Sequence, residues 1–302
     1  MYKSHGYSVL AYTDHNVMLD HSDLADDGFL PLMSYEIDVT EPDFCQPRKT
    51  CHICFISLEP ENIQVCWHRD RYVTRGALNH KDEARFDGTL PDYERHYSAA
   101  GVNDMIKKAR DGGFFVTYNH PYWSVEGYPE YTSYKGMNAM EIYNNSCAVM
   151  GFDEFNSHTY DDLLRTGHKI FAIAADDNHN AHPDGSPKSD SFGGFTVIKA
   201  EKLEYRTITK ALEDGHFYAS TGPEIYELWY EDGKVHIRCS DAVKITMNTG
   251  VRHAGVAYPG NGDFVNEAEF KIDPEWIYFR LTVTDASGKQ AWTSAYFIAD
   301  LM

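Results

Sequence analysis

The 302-residue chain carries 46 acidic and 27 basic residues, a formal net charge of −19, with 42% apolar and 14% aromatic residues. This is a globular composition, long enough for one large α/β core or two domains. Its negative field argues against generic binding of nucleic acid or anionic membrane, whereas a small anionic substrate stays compatible because a bound metal reverses the local sign. No apolar run approaches the roughly 20 residues of a membrane helix. The start, MYKSHGYSVLAYTDH, lacks the apolar segment and cleavage site of a signal peptide, so the expected location is cytoplasmic. Six cysteines are too sparse for a disulfide scaffold.

Residues 1–8 read as the end of a helix and a turn, with Gly6 suited to its C-terminal cap. A strand, VLAYT, then delivers Asp14 and His15, and FLPLMSYEIDV gives a second strand with Glu36. TCHICFISL is a third, carrying His52. Cys51 and Cys54 invite a zinc-knuckle reading, but side chains alternate along a strand, so positions 51 and 54 point to opposite faces. Buried thiols are the better reading. Residues 59–100 form a long polar segment, of the kind that is usually a functional lid or disordered. From His68 to Lys81 it holds Arg69, Arg71, Arg75 and Lys81 against Asp70 alone, a basic island that could recruit an anionic substrate or be an ordinary solvated loop.

Helical spacing of Val102, Met105, Ile106 and Ala109 predicts a helix over 100–111, stopped at Gly112-Gly113. FFVTYNH is a strand delivering Asn119 and His120, 122–135 is an aromatic loop, and AMEIYNN carries Glu141 and Asn144. A helix over DEFNSHTYDDLLRTG leads into KIFAIAADDNHN, an apolar run ending at Asp176, Asp177 and His179. After GFTVIKA, the segment EKLEYRTITKALEDG is a helix with apolar Leu203, Ile208 and Leu212. From 223 onward the chain reads as alternating strands without a helix, opening with a hairpin at Asp232-Gly233. The expected domains are thus 1–222 and an all-β sandwich over 223–302.

Reactive groups at strand ends describe a (β/α) barrel or an open α/β sheet, where sites gather on that face. The candidates are His15, Glu36, His120, Asp177 and His179, with His52 from its own strand. Each alone has a bland reading as a packed histidine or a turn cap. Repetition after apolar strands points to a metal site, and mixed imidazole and carboxylate ligands suit zinc, manganese or iron. There is no GxGxxG, P-loop or GxSxG motif. Ser146 and Cys147 lie near Glu141 without a base placed beside them by sequence.

In order, AYTDHN, YEIDV with HICF, NHPYWS, MEIYNN and AADDNH resemble the motifs of the PHP (polymerase and histidinol phosphatase) superfamily. They are most similar to its branch of metal-dependent phosphoesterases with carbaryl-hydrolase-like members. GHFYASTGPEI and GKQAWTSAYFI resemble that branch's C-terminal extension. The resemblance implies a distorted (β/α)7 barrel, up to three metal ions and an appended β-sandwich. It implies His15, Glu36, His52, His120, Asp177 and His179 as ligands, with Glu36 bridging and Asp177 and His179 at the catalytic centre. Asp14 would support a ligand, while Glu141 and Asn144, at a strand end near the site, are pocket candidates. The family's opening HxH strand and SDG-like turn have no counterpart, since YKSHGYSVLAYTDHN is similar to sequence downstream of them. One barrel strand and part of the ligand set are then missing, and the expectation is fewer ions and weak or no turnover.

The resulting reading is a metal-dependent hydrolase, a phosphoesterase acting on a small phosphorylated substrate. Asn119, Glu141, Asn144, Arg69, Arg71 and Arg75 are the candidate substrate contacts. Carbamate or ester hydrolysis is open to the same chemistry. A non-catalytic metal-binding or scaffold module, with Trp229 or Trp292 exposed on the β tail, is the reading from another class.

Overall fold

The computed structural model describes residues 1–301, without the side chain of Arg75. The elements begin with β1 (Val9–His15), β2 (Leu30–Thr40), β3 (Thr50–Ser57), α1 (Ala99–Asp111), β4 (Phe114–Tyr118), α2 (Tyr128–Tyr131) and β5 (Ala139–Asn144). They continue with α3 (Asn145–Val149), α4 (Ser157–Arg165), β6 (Phe171–Ala175), β7 (Phe195–Ile198), α5 (Tyr205–Asp214) and β8 (Phe217–Ser220). Strands β9 (Ile225–Glu231), β10 (Lys234–Ala242), β11 (Lys244–Thr249), β12 (Ala254–Ala257), β13 (Val265–Lys271), β14 (Tyr278–Thr284), β15 (Gln290–Thr293) and β16 (Tyr296–Phe297) follow. A short helix, α6 (Ile298–Leu301), closes the described chain, where the sequence pattern showed no helix. The fold is mixed α/β and divides into two compact units, Met1–Met140 with Ile198–His216, and Glu141–Val197 with Phe217–Met302. Among the described residues no helix is long and apolar enough to cross a membrane.

The first unit is built on β1 to β4 and the start of β5. Strand β1 pairs with β2 in parallel, and β4 with the start of β5 likewise. The pairings of β2 with β3 and of β3 with β4 are antiparallel. The connection over 41–49 is too short for a crossover helix, so β3 must run back along β2. Register then fixes the faces. Tyr35 lies opposite Phe55 and Ile37 opposite Ile53, which in turn faces Tyr118. These side chains, all fully buried, form one apolar face. Helix α1 packs on β4 and buries Val102, Met105, Ile106 and Ala109. Val102, Met105 and Ile106 contribute about 1.5–3 kcal/mol each as fully buried side chains. Ser98 caps α1 by accepting from the Gly101 N–H at 3.1 Å.

Behind the same apolar face Glu126 accepts hydrogen bonds from the hydroxyls of Tyr118 at 2.7 Å, Tyr97 at 2.8 Å and Tyr134. Cys51 is buried there, and burial pushes its thiol well up. Cys54 lies on the other face, its sulfur accepting from Asn119, so the strand alternation does separate the two thiols.

Residues 59–98 are not a structureless loop but form a packed module. Val17, Leu19, Trp67 and Val73 share a small core with Ala77, Ala84 and Phe86. Trp67 stacks on Phe86 at 5.0 Å. Arg69 donates to Asp92 at 2.8 Å and to the carbonyls of Gly88 and Leu90. Arg71 donates to Glu94 at 2.7 Å. The basic island is therefore largely committed to its own segment's acids and carbonyls, while the Arg75 side chain lies outside the described residues.

In the second unit the remainder of β5 lies beside β6, and the other strands form antiparallel sheets ordered β13-β10-β9 and β12-β11-β14-β15-β8-β7, with β16 on β14. Side chains from both antiparallel sheets, among them Ile237, Phe270, Met247 and Leu281, share one core. The β9–β10 hairpin turns at Asp232 and Gly233 with φ of 48° and 76°, as a type I′ turn requires. Trp292 is fully buried rather than exposed, because the rings of Tyr143 and Phe155 pack against it at 6.3 and 6.0 Å; Trp229 on the edge strand β9 is 39% exposed. Arg280 makes a two-pronged contact with Asp161 at 2.8 Å on each prong, and Tyr278 donates to the same carboxylate at 2.9 Å.

Replacing Asp161 with Ala leaves a buried guanidinium unpaired. The expected cost is about 3–5 kcal/mol, read as a lower urea midpoint. Glu126 gives a pH-dependent expectation. Burial, outweighing the tyrosine hydroxyls, raises its carboxyl above the ordinary 4.5. A folded value above the unfolded one favours folding at low pH, and that contribution is lost as pH rises through the folded value. Glu126→Gln abolishes the loss, so its stability relative to wild type should rise between about pH 4 and pH 8. Parallel urea titrations at the two ends of that range check the slope.

Candidate metal centre

The face of the first unit's sheet opposite Tyr35 and Phe55 carries the polar residues. Glu36 lies across from Cys54, and Asp38 across from His52. Cys54 in turn faces Thr117, and the Asn119 N–H donates to the His52 carbonyl at 3.1 Å. The period-2 alternation therefore brings Glu36, His52, Cys54, Thr117 and Asn119 to one side. Because β3 runs backwards, the start of β3 meets the end of β4, where His120 follows directly.

Among the described residues, Glu36, His52 and His120 form the group that could hold a metal ion, their ligand atoms lying within 4.8 Å of one another. Oε1 of Glu36 is 2.8 Å from His52 Nδ1 and 3.4 Å from His120 Nε2. Its Oε2 is 3.3 Å from His15 Nδ1. Glu36 is 3% exposed. Burial alone would raise its carboxyl, but the charges and hydrogen bonds of His52 and His120 outweigh burial and hold it well below the ordinary carboxylate range. The donor set is thus two imidazoles and an ionised carboxylate, which suits zinc, manganese or iron. His15, its side chain 45% exposed, sits at the rim beside Glu36 and is not one of the three.

The surroundings hold the group in place. Asn119 is 2% exposed. Its amide donates to Cys54 Sγ at 2.9 Å and to Glu36 at 3.4 Å, and accepts from Thr117 at 2.9 Å. The residue expected to touch substrate is thus engaged beneath the carboxylate. Trp123 meets the rings of both His52 and His120 edge-on, at 5.2 and 5.1 Å. Asp14, expected to support a ligand, alternates away from His15 and lies 3.1 Å from His21. His120 has φ of 25° and Asn16, next to His15, has 64°. Left-handed backbone at such residues costs about 1–3 kcal/mol each and tends to gather at functional sites.

The remaining candidates lie in the second unit. Asp176 accepts the backbone N–H groups of Phe192, Gly193 and Gly194 at 2.6–2.9 Å. A Cβ on Gly194 would sit 2.7 Å from the Ala175 carbonyl oxygen, a backbone atom, so this approach calls for glycine there. Asp177, in left-handed backbone at φ 51°, accepts from Asn144 at 3.3 Å, and Asn144 also donates to Glu141 at 2.9 Å. His179 Nδ1 lies 2.7 Å from the Asp177 carbonyl. The structure thus brings Glu141, Asn144, Asp177 and His179 together, and none of them belongs to the Glu36 group. Asp38, Cys54 and Trp123 were missed from sequence. The i, i+2 spacing of Glu36 and Asp38 and of His52 and Cys54 was the available signal.

Titration with Zn2+ or Co2+ should detect an ion held by the Glu36 group, and Glu36→Gln should abolish tight binding. Because imidazole must be neutral to coordinate, binding should weaken as the solution is acidified below pH ~7. Isothermal calorimetry at several pH values checks both expectations.

Comparison of the chain with protein-family models, with curated proteins and with solved structures returned no match.

Proposed function

We propose that the protein is a metal-dependent hydrolase of the PHP kind, a phosphoesterase acting on a small phosphorylated molecule. The observation that carries the reading is the buried Glu36–His52–His120 group. The parallel pairings β1–β2 and β4–β5 are compatible with part of a distorted (β/α)7 barrel, in which the antiparallel pairs between them would be the distortion.

A divalent ion, when bound, supplies Lewis acidity toward a phosphoryl or acyl oxygen and lowers the pKa of water. The chain's own residues hold and shape that chemistry. Glu36 supplies the negative ligand, and its two oxygens facing different histidines would suit a bridging role between two ions. His52 and His120 complete the set. Asn119 fixes the carboxylate from below. Trp123 covers the ring edges of both histidines and limits water on that side. His15, half exposed beside Glu36, is the member of this cluster most open to an entering substrate. Since Arg69 and Arg71 pair with Asp92 and Glu94, the ion rather than the loop arginines would meet the substrate's charge.

The test is a panel of phosphomonoesters, phosphodiesters, aryl esters and carbamates, assayed with added Mn2+ or Zn2+. The expected result is slow phosphoester turnover that chelation removes and Glu36→Gln does not show. Hydrolysis of esters or carbamates alone would overturn the phosphoesterase assignment while keeping the hydrolase. A metal-loaded protein that cleaves none of them would overturn the enzyme reading.

A further inference from the structure

Asn16 is 3% exposed and stands where the candidate metal group meets the 59–98 module. Its backbone N–H donates to the Glu36 carbonyl at 2.7 Å. Its side-chain N–H donates to Asp38 Oδ1 at 2.7 Å, and Asp38 is the cross-strand partner of His52. Asn16 also directly follows His15. One residue thus touches, or is one step from, four of the histidines and carboxylates at this site: Glu36, Asp38, His52 and His15.

The module grips that residue from both of its ends. Near its start, Gln64 donates to the Asn16 carbonyl at 2.9 Å and accepts from the Met18 N–H at 2.9 Å. Near its end, Arg95 donates through Nη1 to Asn16 Oδ1 and, at 2.8 Å, to the Asp38 carbonyl. The Arg95 side chain is only 3% exposed, and its guanidinium lies over the Tyr72 ring at 4.2 Å. Tyr72 is itself tied into the module, donating to Glu94 and accepting from the Arg95 N–H. Burying a guanidinium costs several kcal/mol unless its surroundings compensate. A surface loop that only covered the sheet would not need that arrangement.

We propose that Arg95 and Gln64 make the 59–98 module a clamp on the metal centre, acting through Asn16 to fix the backbone that carries His15 and Glu36 and the carboxylate beside His52. Arg95 and Asn16 are positioning residues: neither belongs to the ligand group, and both act on how well its members are pre-set. The module and the ion are then coupled. Ordering one favours the other, because both depend on a single arrangement of Asn16. The inference rests on the metal reading of the Glu36 group and does not depend on which reaction follows.

The experiment uses the full chain with Co2+, whose visible absorption reports ligand geometry and whose affinity is measured by competition with a chelator. Arg95→Ala should weaken Co2+ binding by about 10–100-fold, the usual effect of losing a residue that orients metal ligands, and should change the band shape at saturation. Asn16→Gly keeps the left-handed backbone, removes only the amide, and should reproduce both effects. Arg95→Lys keeps the charge without the fork and should recover only part of the affinity. Arg71→Ala, in the same module but bonded only to exposed Glu94 by its side chain, should leave affinity and spectrum unchanged. In the wild type, Co2+ should slow proteolytic cleavage within 59–98, an effect that needs no variant to fold. Folded Arg95→Ala and Asn16→Gly proteins with wild-type affinity and spectrum overturn the clamp, as does cleavage indifferent to Co2+. A wild type that binds no Co2+ overturns the clamp together with the metal reading. Co2+ binding that the variants weaken, in a protein that hydrolyses nothing, supports the clamp and removes only the hydrolase.

Discussion

An ionised carboxylate buried beneath a sheet is the constraint on which the first unit's polar face depends. Glu36 is withdrawn from water, and a carboxylate in that position persists only with hydrogen-bonding partners at close range. The fold supplies them from separate strands: His52 from β3, His120 after β4, His15 after β1 and the Asn119 amide. That convergence follows from β3 running antiparallel, which sets the beginning of one strand beside the ends of two others. In an all-parallel arrangement His52, third in its strand, would lie at the far edge of the sheet from His120.

The two faces of this sheet solve opposite problems. The face with Tyr35, Phe55 and Phe114 excludes water and is paved with rings in edge-to-face contact. The other face keeps polar groups satisfied by one another, from Thr117 through Asn119 to Cys54 and Glu36. Cys51 and Cys54 show the division within three residues, one beside Glu126 and the tyrosines, the other beside the candidate ligands. Rigidity on the apolar side is what lets the polar side hold imidazoles and a carboxylate at fixed separation.

The 59–98 module extends the same logic away from the sheet. Its core is small, and what ties it to the polar face is hydrogen bonding of Gln64 and Arg95 to Asn16 rather than apolar area. Directional bonds specify one placement where a small apolar contact would tolerate several. The second unit repeats the pattern at its own strand end, where Asp176 gathers three backbone N–H groups and so sets the backbone that bears Asp177 and His179.

Strand alternation, helix spacing and turn chemistry are local, and the sequence by itself was enough for them: the strand carrying each candidate residue, helix α1 with its buried stripe, the opposed faces of Cys51 and Cys54, and the turn at Asp232-Gly233. It also nominated Glu36, His52 and His120. The direction of β3 and the packing of Trp67 and Phe86 against Val17 and Leu19 were set by contacts distant in sequence, so 59–98 read as a polar loop. Arg69 and Arg71 looked like free cations because Asp92 and Glu94, their partners, lie more than twenty positions away. Trp292 was open to an exposed or a buried reading, because alternation gives two faces without saying that Tyr143 and Phe155 pack against one of them. Only the tertiary structure decided which polar groups are already engaged, since a hydrogen bond consumes a donor wherever in the chain its partner lies.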